Sequence, residues 1–237
     1  MKQKRNKRTL LWALYFLVVV IGFVFFIEYQ YQNVKQELFI YSSAKNWSHR
    51  GFAQIENKEN TLYAIDLAFQ NDYKGVEIDL WFKNGQFYLS HDESYEDTLP
   101  KLKDVFNIFP DAYFWLDLKN LSYSNYKEIA NQLNQLNKNK KTYLIESKNA
   151  LPLGLIYQME FPTSYWVTNG NPIRQFIQKC WIVYFKYNGV SMSAKLYKEE
   201  NIRNQYRHLN IHLWDKHPSS ELYHREEVKI ILDDNEK

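Results

Sequence analysis

The chain has 237 residues, 45% hydrophobic and 17% aromatic, with 30 basic and 27 acidic side chains. Five of the basic residues, Lys2, Lys4, Arg5, Lys7 and Arg8, precede Thr9, leaving 25 basic against 27 acidic for the remainder. A nucleic-acid-binding domain needs a basic patch, and none is apparent in that balance; a single cysteine, Cys180, excludes an intramolecular disulfide.

The elements follow in chain order. Thr9–Ile27 is an uncharged run of 19 residues rich in Leu, Val, Ile, Phe and Trp. As a helix it would extend roughly 28 Å, enough to cross the hydrocarbon of a bilayer. A cleaved signal peptide is the competing reading, but its apolar region is shorter and ends in small residues. This run leaves instead through Glu28-Tyr29-Gln30-Tyr31. We therefore expect a basic cytoplasmic tail over 1–8, a transmembrane anchor over 9–27 and a polar stalk over 28–44. The barrel-sized domain over 45–237 should lie outside the cytoplasmic membrane, because basic flanks stay inside.

Residues 45–237 form one uninterrupted unit of 193 residues, without internal repeats or Gly/Ser/Pro linkers. Strand-like runs occur at Asn46–His49, Val76–Phe82, Phe87–His91, Tyr113–Lys119, Thr142–Glu146, Ser164–Thr168, Val190–Ser193 and Ile211–Trp214. Lys229–Leu232 follows the last helix-like stretch. Between runs, Leu62, Ile65 and Phe69 on Thr61–Gln70, and Ile129, Leu133 and Leu136 on Tyr126–Leu136, recur at helical spacing. Asn84-Gly85 is a two-residue hairpin signal. Eight strands alternating mostly with helices predict an α/β fold, a TIM (β/α)8 barrel preceded by one N-terminal transmembrane helix. The apolar neighbours of Cys180 predict a buried thiol; His208, His212, His217 and His224 lack metal-ligand spacing and read as surface or loop residues.

The chemistry concentrates between His49 and Asp92, a window of 44 residues. In Val76-Glu77-Ile78-Asp79-Leu80 the two carboxylates share one face of a strand. They belong either to a solvent-facing edge or to a barrel interior, where mutual repulsion calls for a cation. The second reading makes Glu77 and Asp79 ligands of Mg²⁺ or Ca²⁺, which favour oxygen donors. Asp117 and Lys119 repeat the pattern in Trp115-Leu116-Asp117-Leu118-Lys119. They form an internal ion pair, or else a third oxygen ligand and a cation for a phosphoryl oxygen. His49 and His91 also end strand-like runs. Phosphodiester cleavage needs one group to take a proton and another to give one, a pair of roles two imidazoles can share near neutral pH. Arg50 offers a fork of donors to a phosphate.

These residues resemble the glycerophosphodiester phosphodiesterase family across roughly residues 45–235. The resemblance rests on His49-Arg50-Gly51, Glu59-Asn60-Thr61, Gly75-Val76-Glu77-Ile78-Asp79, His91-Asp92 and Leu116-Asp117-Leu118-Lys119, with Trp214 at the end of the last barrel strand. It implies a TIM barrel holding a divalent cation on Glu77, Asp79 and Asp117. It also implies acid/base roles for His49 and His91, a substrate site at Arg50, Lys119 and Trp214, and support from Glu59 and Asn60. The chain departs from the family pattern at Lys58 in place of Pro, Asp117 in place of Glu and Asp215 in place of Thr. The family's insertion after His-Asp is also missing, since only the 24 residues Glu93–Leu116 separate Asp92 from Asp117.

The resulting expectation is a membrane-anchored phosphodiester hydrolase. Its substrate would be a glycerophosphodiester, a lipid headgroup or a cell-surface glycan phosphodiester, and its partners that substrate and the membrane, with no nucleic acid. One alternative is a phospholipase similar to spider-venom sphingomyelinase D, which forms cyclic phosphates. The other is an inactive, membrane-tethered binding protein.

Overall fold

The structure, a computed structural model, describes residues 2–37, 39, 45–52, 58–137, 139–215 and 219–233. His217 falls outside them. Eight parallel strands form a closed barrel: β1 (Asn46–Ser48), β2 (Gly75–Lys83), β4 (Tyr113–Leu118), β5 (Tyr143–Ser147), β6 (Thr163–Trp166), β7 (Gly189–Ser193), β8 (Ile211–Asp215) and β9 (Val228–Asp233). Each strand pairs with the next, and β9 pairs with β1 through Trp47 and Leu232. The ring closes where β1 meets β2 at Ser48 and Val76. The helices in chain order are α1 (Lys2–Gln32), α2 (Leu62–Gln70), α3 (Leu102–Ile108), α4 (Tyr126–Leu136), α5 (Ala150–Tyr157), α6 (Pro172–Phe185), α7 (Ala194–Lys198), α8 (Glu200–Tyr206) and α9 (Ser220–Tyr223). The expected TIM barrel is thus present, but its staves differ from the expected eight.

The strand β3 (Gln86–Leu89) is antiparallel to β2, joined to it as a hairpin through Asn84 and Gly85, and is otherwise met by an isolated bridge from Tyr88 to Lys101. Both turn residues have positive φ, 50° and 74°, as the tight turn requires. A strand reached by two residues cannot become a parallel stave, which needs a crossover. Val228–Asp233 takes that place instead. Trp214 therefore stands on the penultimate stave, not the last.

Two apolar layers hold the barrel. Outward side chains such as Val76, Ile78, Leu80, Phe114, Leu116 and Ile145 pack under the helices. Inside, Phe39, Trp47, Trp115, Leu144, Ile230 and Leu232 fill the floor. Period-2 alternation produces both layers from the same strands. Gly75 is required by this floor, because a Cβ there would lie 2.3 Å from the Trp47 ring.

α1 is long and apolar enough over Thr9–Gln32 to cross a membrane by length and composition, with little of it buried. Its C-terminal turns nevertheless pack on the barrel. Phe23 meets Phe176 edge-on, Glu28 pairs with Lys179 at 2.6 Å, and Tyr31 is fully buried. The described residues after α1 reach the floor of the barrel. There the Glu37 carbonyl accepts from Asn188 Nδ2, and Phe39 enters the floor. Cys180, expected to be buried, is half-exposed in the groove between α1 and α6.

Candidate active site

The site lies at the C-terminal ends of the strands. A cleft of about 240 Å³ is lined by His49, Arg50, Glu77, Asp79, His91, Asp117, Lys119 and Trp214, together with Trp115, Glu146, Trp166 and Leu232. Eight residues singled out in the sequence thus share one cavity, with Glu59 and Asn60 just behind.

His49 follows β1, whose ladder continues through a bond from its backbone N–H to the Asp233 carbonyl. Its Nε2 is 3.7 Å from Glu77 Oε2. Arg50 and Gly51 then turn back toward α2 with φ of 55° and 80°. At Gly51 a Cβ would sit 2.8 Å from Ala64, so both conformation and space demand glycine. Thr61 caps α2, accepting from the Ala64 N–H at 3.1 Å.

Glu77 and Asp79 both point into the barrel and are almost fully buried. Glu77 Oε2 accepts the Arg50 backbone N–H at 3.0 Å. Asp79 is held from three sides: Arg50 Nε at 3.0 Å, Lys119 Nζ at 2.5 Å and Asn60 Nδ2 at 2.8 Å. Lys119 also reaches Asp117 Oδ2 at 2.5 Å. Arg50 Nη1 lies 3.2 Å from Glu59, so its guanidinium spans the cleft carboxylate and the rim. His91 stands apart on the loop after β3, 45% exposed, with Nδ1 3.0 Å from Asp92.

Electrostatics separate the carboxylates. Burial, reinforced by Asp79 and Asp117, raises the Glu77 pKa well above the usual range. Asp117 is also raised, chiefly by burial. Asp79 is lowered, because Lys119 and Arg50 together outweigh its burial.

Glu77, Asp79 and Asp117 each offer an oxygen within 4.8 Å of the others. Oxygen-only donors crowded this closely fit a hard divalent cation, which would favour the ionised form of carboxyls that burial otherwise disfavours.

Glu146 is the residue that inspection of the sequence missed. It is buried on β5 opposite Asp117 in register, and burial followed by Asp117 pushes its pKa well up. Its signal was available: Tyr143-Leu144-Ile145-Glu146-Ser147 sets a carboxylate at a strand end as Asp117 does. Trp166 was also missed; its ring lies 5.8 Å from Trp214, edge to face.

The expectation for the late histidines is corrected at two positions. His212 is fully buried on β8, its Nδ1 2.7 Å from Ser164 Oγ. Its ring lies over Gly189, where a Cβ would come within 2.3 Å. His208 is part-buried and donates through Nε2 to the Tyr31 carbonyl at 2.8 Å. His224 is exposed, as expected.

No family model and no curated protein matches the sequence. Solved structures do match in fold. The glycerophosphodiester phosphodiesterase of Agrobacterium tumefaciens superposes with a TM-score of 0.60 at 20% identity, over 81% of this chain and 96% of that one. A glycerophosphodiester phosphodiesterase of Parabacteroides distasonis gives 0.63 at 14% identity, over 82% and 94%. An Oleispira antarctica phosphodiesterase, solved in complex with the product sn-glycerol-3-phosphate, gives 0.58 at 15% identity, over 86% and 95%. This chain is similar to all three in its barrel.

Proposed function

We propose that the protein is a phosphodiester hydrolase of the glycerophosphodiester phosphodiesterase kind, anchored by α1 with its barrel outside the cytoplasmic membrane. The observation that carries this reading is the convergence of Glu77, Asp79 and Asp117 with His49 and His91 in a single cleft. The barrel shared with phosphodiesterases supports it, and the product held by the Oleispira protein points to a glycerol-phosphate diester as the substrate class.

Glu77, Asp79 and Asp117 would hold Mg²⁺ or Ca²⁺, which when bound supplies positive charge to the phosphoryl oxygens. Lys119 and Arg50 add their charges to the same oxygens. One imidazole of the pair His49 and His91 takes the proton of the attacking water or substrate hydroxyl. The other delivers a proton to the departing alcohol oxygen as its bond to phosphorus breaks. Glu77, 3.7 Å from His49 Nε2, orients that ring. Trp214 and Trp166 wall the side of the cleft where the alcohol portion would lie. Only α3 stands between β3 and β4, so no inserted domain covers the mouth.

The test is a panel of phosphodiesters offered to the full chain in detergent, with chelator and then with Mg²⁺ or Ca²⁺ restored. Alcohol release that is lost with chelator and recovered with one of the cations is the expected result. Inertness toward the whole panel with either cation present would overturn the reading.

A further inference from the structure

The direction of α1 relative to the barrel orients the site. Phe23 packs on Phe176, and five residues later Glu28 pairs with Lys179, so α1 and α6 descend side by side in the same direction. Following β6, α6 begins at the catalytic rim; preceding β7, it ends at the floor. α1 ends at the floor as well, where the Tyr31 hydroxyl donates to the Gln205 carbonyl at 3.0 Å. Everything before Phe23 therefore projects past the catalytic rim, not past the floor.

The projecting stretch Thr9–Gly22 has 14 residues and spans about 21 Å as a helix. A hydrocarbon core is roughly 30 Å thick. The basic tail prevents the span from shifting toward its N-terminus, so Phe23–Ile27 must lie in the membrane too. The part of α6 beside them then lies at the same depth. Its chemistry suits that position. Ile173 is 71% exposed and Ile177 47%, and the groove between the helices is lined by Phe23, Phe26, Ile177 and Trp181. Arg174 in the first turn of α6 is an exposed cation whose long stem can carry its charge to the headgroups, and further along the pair Glu28 and Lys179 neutralise each other.

Elsewhere the rim is mixed: the loop after β3 carries the exposed acids Asp92, Glu93, Glu96 and Asp97, and the other strand ends carry exposed apolar and aromatic residues. Tyr63 opens α2, Tyr123 follows β4 and Leu151 opens α5, and all three are exposed. Tyrosine is a residue of membrane–water interfaces. At the floor end, exposed large hydrophobic residues of the barrel number two among the described ones, Ile108 and Tyr184.

We propose that the catalytic mouth of the barrel rests on the bilayer that α1 crosses, with the first half of α6 at its acyl–headgroup boundary. The site then takes a phosphodiester whose lipid portion stays in that membrane. This rests on the phosphodiesterase reading above and adds the source of the substrate. A second cavity of about 310 Å³ shares Trp166 and Trp214 with the catalytic cleft and extends along Val167, Thr168 and Asn169 toward α6. It gives a lipid-held alcohol a route between the mouth and the membrane-facing helix.

Nitroxide labels on the full chain in phosphatidylcholine/phosphatidylglycerol vesicles test the seating. Ile173→Cys and Ile108→Cys are each made in a Cys180→Ser background. The label at 173 is expected to collide with dissolved oxygen and be shielded from a water-soluble nickel chelate, and the label at 108 to behave oppositely. Equal access of nickel to both overturns the proposal. In parallel, Ile173→Glu/Ile177→Glu should lower turnover of vesicle-held phospholipid about tenfold, for loss of apolar anchoring. Turnover of soluble glycerophosphocholine should not change. Equal effects on both substrates would overturn the lipid source. A wild-type protein inert to both would instead overturn the phosphodiesterase reading, and the labels would still decide the seating.

Discussion

Asn60 and Asp79 hold each other by two hydrogen bonds: Asn60 Nδ2 donates to Asp79 Oδ2 at 2.8 Å, and the Asp79 N–H donates to Asn60 Oδ1 at 2.9 Å. Both residues are buried, and Asn60 adopts a left-handed φ of 57° to reach across. The pair ties the loop before α2 to the middle of β2, and so fixes the carboxylate plane of a proposed metal ligand.

Replacing Asn60 with Ala should therefore act on metal affinity before it acts on the fold. Loss of a group that orients a ligand weakens metal binding by about 10- to 100-fold. The Asp79 N–H left unpaired should cost about 1–3 kcal/mol of stability. Isothermal titration with Mg²⁺ or Ca²⁺, alongside thermal unfolding in chelator, measures the two effects separately. Unchanged cation affinity would remove Asn60 from the site.

His212 makes stability depend on acid. Burial lowers its pKa from the usual 6.5 to about 3, so the unfolded chain binds its proton more readily than the folded one. Stability is full above pH about 6.5 and falls as pH drops from there toward 3. In Gly189→Ala, the added Cβ meets the His212 ring at 2.3 Å, an overpacking worth about 1–3 kcal/mol. Urea unfolding at pH 7 and pH 4.5 should show wild type losing stability between them. His212→Gln should be flatter over that interval.

Much of the site was legible because it is written in local patterns. Glu77 and Asp79 share a face by strand alternation, and Asn84-Gly85 announced its hairpin. Tyr126–Leu136 forms the helix its apolar spacing predicted. Most of what sequence inspection misread depends on distant partners. The Asn84-Gly85 turn already forbids Phe87–His91 from being a parallel stave, whereas the pairing of Lys229–Leu232 with β1 is a long-range closure that no local pattern encodes. His212 lies in the strand-like run Ile211–Trp214, but its burial depends on Gly189 and Ser164, from two other strands, which form its berth. In the stretch read as a stalk, Tyr31 and Phe39 are buried, Tyr31 because the last turns of α1 pack on α8 and Phe39 because it joins the floor cluster. Glu146 is a different case: its strand-end pattern was the same as that of Asp117 and simply carried no neighbouring motif.

Gly51→Ala should impair both folding and activity. A side chain at φ 80° costs about 1–2 kcal/mol, and the clash with Ala64 at 2.8 Å has backbone on one side. Relief requires Arg50 or α2 to move. The Arg50 N–H would then leave Glu77 Oε2, 3.0 Å away. A variant with a lower melting temperature and at least tenfold lower kcat/KM is expected. Full activity in a folded Gly51→Ala protein would mean that the turn does not position Arg50.

The two histidines should respond differently to the same deletion. Alanine at either position is expected to remove about 10²–10⁴-fold of the diesterase rate, the range for a lost acid or base. His91 is 45% exposed on a loop that β2 holds by its backbone, through Trp81 Nε1 on the His91 carbonyl at 3.4 Å, so the imidazole itself faces solvent. Its absence therefore leaves a hole that a small solute can enter from water. His49 sits deeper, 21% exposed and 3.7 Å from Glu77, and its ring is framed by the Arg50 turn. Added imidazole should accordingly restore measurable turnover to His91→Ala, with a pH profile following the pKa of the added base. His49→Ala should recover much less at equal concentration. Equal rescue of both would mean that the mouth is open to the depth of Glu77, and failure of both would remove the solvent-facing role assigned to His91.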